Sequence, residues 1–392
     1  MPSDALSQWT ASLAEGLRAL EERQQLRRLE EVEGVNLCSN DYLGLARNPE
    51  LHEAVVASVR NASRIGGTGS RLLSGQTEDW RELEESFAKF AGTEAALFFA
   101  SGYAANLGLL SSLLSKDDSV FSDTLNHASL IDGIRLSGAR KIIYPHLDLN
   151  FLENSLRQEA GAPWRRLIVT ESVFSMDGDV APLRELAALA DKYGAALIVD
   201  EAHATAVHGP AGRGLAVDTG IHSRCLAIIH TCGKALASSG AFVCGSAELK
   251  QHLINNARTF IFSTALPPYF AGQIAAALRI ASQMHAERHD LLHRSANLCR
   301  TLYSAGFDVA QSASQIVPIV LGPNAAALDA AACLQREGFA VRAIRPPTVP
   351  QGRSRLRLSL TTSVSDPDLA RLVQSLTAWR VSQHAPAIAR PA

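Results

Sequence analysis

Between about residues 90 and 250, short hydrocarbon runs alternate with stretches whose apolar residues return every three or four positions. Ala95–Phe99, Ser119–Phe121, Arg166–Val169, Ala195–Val199 and Leu226–Ile229 are short and rich in hydrocarbon, the mark of strands buried on both faces. Between two of them, Leu183–Tyr193 has the spacing of an amphipathic helix. The alternation predicts an α/β protein with a mostly parallel sheet wrapped by helices. On either side the pattern changes. Residues 4–32 place Leu6, Trp9, Leu13, Leu17 and Leu20 at three- and four-residue steps, which predicts a helix docked on the main body. An extended piece, Val35–Cys38, and a turn-rich segment, Ser39–Gly44, follow it. A long Ala- and Leu-rich helix is expected from Tyr269 to about His293, and strands at Gln315–Leu321 and Arg355–Leu360. The expected division is an N-terminal helix and arm (1–45), a large domain (46–285) and a smaller C-terminal α+β domain (286–392). The Pro/Ala-rich end at 385–392 is expected to fray.

Composition narrows the functional classes. The 392 residues are 47% hydrophobic and 19% charged, ample for a large core. A formal net charge of −2, from 37 basic and 39 acidic residues, argues against a general nucleic-acid binder. The first thirty or so residues lack the apolar core of a secretory signal, and no apolar run nears the ~20 residues that cross a bilayer. Cysteines at 38, 225, 232, 244, 299 and 333 form no CxxC pair and read as reduced thiols of a cytoplasmic protein.

Candidate chemistry follows the strands. In open parallel sheets ligands sit beyond the carboxyl ends of the strands. Phe99 is followed by Ala-Ser-Gly-Tyr-Ala-Ala-Asn106, and Phe121 by Ser-Asp-Thr-Leu-Asn-His127. Val169 leads into Thr-Glu-Ser-Val-Phe-Ser175-Met-Asp177, Val199 into Asp200-Glu-Ala-His203, and Ile229 into His-Thr231-Cys-Gly-Lys234. Five such exits on one edge predict a shared pocket. Ser101-Gly102-Tyr103 opens a helix whose free N–H groups suit a phosphate. Asp200, ending a hydrocarbon strand, needs a cationic partner. His127 can cover an aromatic ring, and Lys234 brings a primary amine. Phosphate cradle, acid, flat ring and amine are together what pyridoxal phosphate requires. The rivals are weaker. A P-loop needs GxxxxGK[ST], but Ile228 stands five before Gly233 and Ala235 follows the lysine. Gly66-Gly67-Thr68-Gly69-Ser70 is not a dinucleotide fingerprint, and a hydrolase built on Ser175 and His203 lacks a GxSxG elbow. His203, His208, Asp200 and Glu201 lie too near the lysine to favour a metal site, so no metal is expected.

Asn40–Leu45 (NDYLGL), Ser101–Asn106, Asn126–Ser129 (NHAS), Glu171–Asp179 (ESVFSMDGD), Asp200–His203 and Thr231–Lys234 resemble, in this order, the α-oxoamine synthases. These are PLP-dependent enzymes of the aspartate-aminotransferase-like fold, the transferase fold type I. The likeness runs from about residue 20 to 380. Ala343–Pro350 (AIRPPTVP) followed by Arg355–Leu358 (RLRL) is similar to the members that condense L-alanine with a pimeloyl thioester in biotin synthesis. The carrier, coenzyme A or acyl carrier protein, stays open, and the alternative is a member using glycine or another acyl chain. The resemblance implies that Lys234 is the Schiff-base lysine and proton carrier, and that Asp200 pairs with the ring nitrogen. It implies that His127 stacks on the ring, while Ser175 and His203 bond its phenolic oxygen. Ser101, Gly102, Tyr103, Glu171 and Thr231 belong to the cofactor site, and Thr264 reaches the phosphate of a neighbouring subunit in a homodimer. Arg357 binds the amino-acid carboxylate. Arg27 (or its neighbour Arg28), Asn40 and Thr348 line the acyl side, with His127 also touching substrate.

Overall fold

The computed structural model describes residues 4–31, 33–161 and 163–384; the frayed end expected at 385–392 lies outside the described residues. Its strands are β1 (Val35–Asn36), β2 (Ala95–Phe99), β3 (Ser119–Asp123), β4 (Arg140–Tyr144), β5 (Arg166–Glu171), β6 (Ala195–Asp200), β7 (Ala227–Thr231), β8 (Ala241–Gly245), β9 (Ile316–Gly322), β10 (Phe339–Ala340), β11 (Ala343–Ile344) and β12 (Ser354–Ser359). Seven of them form the central sheet in the order β2-β8-β7-β6-β5-β3-β4. All run parallel except β8, which is antiparallel to both its neighbours. Residues alternate between two cores, one on each face. Leu197 and Val199 enter one core and Ile198 the other; Ile228 joins the first, Ala227 and Ile229 the second. Burial on both sides is why these strands read as continuous hydrocarbon. Five of the six parallel strands, β2, β3, β5, β6 and β7, therefore deliver the polar exits to one edge.

A second, antiparallel sheet, β11-β12-β9, lies in the C-terminal third. The N-terminal arm is tied to that third by the parallel pairing of β1 with β10, Val35 opposite Phe339. This pairing lays the arm, with Asn40 and Tyr42, beside β12; Ser359 N–H bonds Leu37 O at 2.9 Å.

Three expectations need correction. The N-terminal helix spans Asp4–Glu22 and buries no residue; Leu6, Trp9, Leu13, Leu17 and Leu20 all face outward instead of docking on the body. It stops at Glu22 because Gln24 takes a left-handed conformation (φ 56°) and the last carbonyls are closed by Gln24 and Gln25 N–H groups. The long helix expected from Tyr269 is two helices, Tyr269–Gln283 and His285–Ser304. The buried guanidinium of Arg288 donates to the Ala281 carbonyl, which also accepts Met284 N–H at 3.2 Å, so the helix end at the break is closed from both sides. Finally, β4 and β8 are strands that the pattern did not single out. Arg140-Lys141 opens an edge strand, exposed at both charges, and β8 follows the loop that bears the lysine.

Candidate active site

The strand exits meet at a cavity of about 600 Å3. Lys234 stands in the loop Cys232–Gly240, which leaves β7 and returns as β8. Cys232 N–H bonds Gly240 O at 2.9 Å, Ser238 N–H bonds Cys232 O at 2.9 Å, and Ala237 N–H bonds Lys234 O at 2.9 Å. Cys232, Ala235 and Leu236 anchor that loop in the core, while Lys234 is half-buried at the cavity wall. Its Nζ makes no hydrogen bond among the described residues. Asp200 ends β6 in register with Glu171 at the end of β5, so two carboxylates enter the site side by side. The Asp200 carboxylate accepts the Asn106 amide at 2.7 Å and the Ala202 N–H at 2.9 Å. Asn106 also donates to Ser129 Oγ at 2.9 Å, and Ser129 in turn lies 2.8 Å from Nδ1 of His127. His127 precedes the helix Ala128–Ser137; its backbone N–H donates to Glu171 at 2.6 Å. His203 Nδ1 is 2.7 Å from the Tyr42 hydroxyl, itself 3.0 Å from Asn40 Oδ1. Arg357, on β12, donates to Ser175 O at 2.5 Å, to Asn40 Oδ1 at 3.1 Å and to Ser359 Oγ at 2.6 Å.

Burial tunes these groups towards their neutral forms. It pulls the Lys234 ammonium below its ordinary value, against the attraction of Asp200 and Glu171. It pushes Glu171 up to about 8, helped by repulsion from Asp200. It holds His203 well below the usual imidazole range, with Lys234 and Arg357 adding repulsion, and it lowers His127 against the pull of Asp200.

Asn40, Ser101, Gly102, Tyr103, His127, Glu171, Ser175, Asp200, His203, Thr231, Lys234 and Arg357 all line this cavity. Arg27 and Thr348 do not. They line a second cavity of about 710 Å3, where the Arg27 guanidinium bonds Thr348 Oγ1 at 3.2 Å. The two cavities share His127, Ser175 and Met176 and so adjoin at those residues. Arg28 turns instead to Glu21, 3.6 Å away. Thr264 lines neither cavity; it is exposed and bridged to Ser70. Sequence reasoning gave no role to Asn106, Ser129, Tyr42 or Ser238. Asn106 carried a signal, an amide four residues after Gly102 in an otherwise small and apolar helix. Tyr42 and Ser129 stand within the motifs Asn40–Leu45 and Asn126–Ser129; Ser129 meets His127 locally, two residues away, but only the tertiary fold brings it to Asn106 and Tyr42 to His203. Among the described residues no group of acidic, histidine and cysteine side chains is arranged to hold a metal.

The donor set fits pyridoxal phosphate. Ser101 caps the helix Gly102–Leu113 by accepting Ala104 N–H at 3.1 Å. Its carbonyl takes Ala105 N–H, which leaves the Gly102 and Tyr103 N–H groups without partners among the described residues. A Cβ at Gly102 would come within 2.8 Å of Thr231 Cγ2, so this approach of helix to strand exit requires glycine. Amine, carboxylate and open helix end thus line one cavity. With its sheet order, this site defines the class, a PLP-dependent transferase of fold type I. Residues 32–376 match the family model "Aminotransferase class I and II", and the chain belongs to that family. A relative named 8-amino-7-oxononanoate synthase, from Geobacter sulfurreducens, is 46% identical over 382 residues, 94% of this chain and 97% of that one. The solved 8-amino-7-oxononanoate synthase from Francisella tularensis superposes with a TM-score of 0.78 at 29% identity, covering 90% of this chain and 99% of the other. A serine palmitoyltransferase from S. paucimobilis, solved with PLP and myriocin bound, gives a TM-score of 0.87 at 27% identity over 97% of this chain and 99% of its own.

Proposed function

We propose that this chain condenses L-alanine with a pimeloyl thioester, releasing carbon dioxide and the thiol carrier, to give 8-amino-7-oxononanoate in biotin synthesis. The relatives' names support the reaction. The observation that carries it is the joining of two cavities at His127, Ser175 and Met176. One holds amine and carboxylates; the other offers room for a longer chain.

When bound, pyridoxal phosphate supplies an electron sink for negative charge at an amino acid's α-carbon. Lys234 is its point of attachment. Once free, the same amine, made less basic by burial, carries the proton at that α-carbon. Asp200, held by Asn106 and the Ala202 N–H, is the acid for the ring nitrogen. His127 walls the ring, with Ser175 and His203 at its phenolic oxygen. Ser101, Gly102, Tyr103 and Thr231 hold the phosphate, and Glu171 backs Asp200. Arg357, oriented by Asn40 and Ser359, binds the amino-acid carboxylate as a planar fork. Arg27 and Thr348 face the acyl chain. The site is completed in a homodimer, with Thr264 serving the partner's phosphate; its position away from this chain's cavity supports that, as do the exposed Phe262 beside it in sequence and the exposed Ile65 and Leu73 close in sequence to its bridge partner Ser70. Six free cysteines support a cytoplasmic setting. The helix break at Met284 supports a division of the body near residues 285 and 286, the arm ending near 45.

Purified protein with PLP, L-alanine and pimeloyl-CoA, followed by mass spectrometry, tests the reaction. The amino-keto product is expected with alanine. Turnover with glycine alone, or thiol release without that product, contradicts the assignment.

A further inference from the structure

We propose that His146 is a positioning residue, which, held between Asp123 and Asp179, fixes the width of the passage where the acyl thioester meets the α-carbon. The inference rests on the reaction just proposed and concerns a residue that touches neither cavity.

The passage has two walls. One is the segment from Asp123, at the end of β3, through Leu125 to His127. The other is the hairpin Ser172–Ala181, which carries Ser175 and Met176. That hairpin is closed by Phe174 N–H to Asp179 O at 3.0 Å and Ala181 N–H to Ser172 O at 3.0 Å, with a bridge between Val173 and Val180. His127, Ser175 and Met176 are the residues common to both cavities. His146, just after β4, spans the walls from behind. Its Nδ1 lies 2.9 Å from Asp123 Oδ1 and its Nε2 2.5 Å from Asp179 Oδ2. Asp123 also takes the Leu125 N–H at 2.8 Å and the Leu147 N–H at 2.9 Å, so the ring, its own loop and the first wall form one unit. Phe174 packs edge-on against the imidazole at 4.5 Å.

Both ring nitrogens face carboxylates, so both must donate and the ring is a cation. Burial opposes the charge, but the bonds to Asp123 and Asp179 outweigh it and raise the imidazole to about 10. The other charges around the outer cavity beside His146 pair among themselves, Arg355 with Asp177 and Arg353 with Asp308. No other described cation contacts Asp179. A neutral side chain cannot donate to both carboxylates across this gap with the same strength. Small displacements of reacting groups cost large factors in rate, and here the displacement falls between acyl group and α-carbon, not on Lys234.

The test separates two half-reactions in holoenzyme. Exchange of the alanine α-proton with deuterated water needs only the first cavity; condensation with pimeloyl-CoA needs the passage. For H146Q, and for D179N, which keeps the bond to Asp123 and guards against loss of folding, two changes are expected. KM for pimeloyl-CoA rises, and the ratio of condensation to exchange falls about tenfold, with exchange within about twofold of wild type. Equal losses in both half-reactions, or an unchanged ratio in both variants, overturn the proposal. Wild-type protein that exchanges no alanine proton overturns the underlying reaction, and the positioning role with it.

Discussion

Burial acts on Lys234 and Glu171 in the same sense, favouring the uncharged form of each. For the lysine this makes the free amine easier to reach than on an exposed side chain, as the proposed attachment and proton transfer require. For Glu171 it yields an acid that shares an edge with Asp200 without doubling the negative charge. The energetic consequence can be read in stability. The folded pKa of Glu171, about 8, lies above its ordinary value of 4.5. Folding therefore favours its protonated form, a contribution complete below the ordinary value and lost as pH climbs through the folded one. Urea unfolding of cofactor-free wild type and E171Q should show the wild type's relative stability falling between about pH 4.5 and pH 9. A difference that stays constant over that range contradicts the burial argument.

At the scale of elements, what places the site is the end of each strand. Exits were legible because a parallel strand buried on both faces has to end abruptly, and the first polar residue after it marks the ligand edge. Asp200, Lys234, Ser101 and His127, singled out this way, line one cavity. β4 and β8 were not singled out, since an edge strand opening on Arg140-Lys141 and a strand emerging from a small-residue loop lack the same hydrocarbon signature. The second layer was also hidden. Asn106 against Asp200, Tyr42 against His203 and His146 between two aspartates are meetings across 94, 161 and 23 or more residues of chain, and local periodicity carries no such information. The N-terminal helix shows the opposite failure. Its periodicity was right, but a stripe of Leu and Trp marks one face of a helix as apolar and does not say what that face meets.

For the whole molecule, the body brings twelve of the proposed site residues to one cavity and two to its neighbour, and sets Thr264 apart. That arrangement makes sense if sites are completed between copies. Mixing two weakened chains tests it: K234A, which has no amine to hold the cofactor, and T264A, which has its own Lys234 but no hydroxyl for the partner. In a mixed dimer one site has Lys234 from one chain and Thr264 from the other. Activity above the sum of the separate variants is expected after subunits exchange; no gain contradicts the shared site. The central claim, that the amine at the end of β7 bears the cofactor, is tested most directly by borohydride reduction of PLP-loaded protein followed by peptide mass mapping. The account predicts a pyridoxyl phosphate group fixed on the peptide containing Lys234 and absent from K234A. The same modification on another lysine, with the Lys234 peptide unaltered, would contradict it.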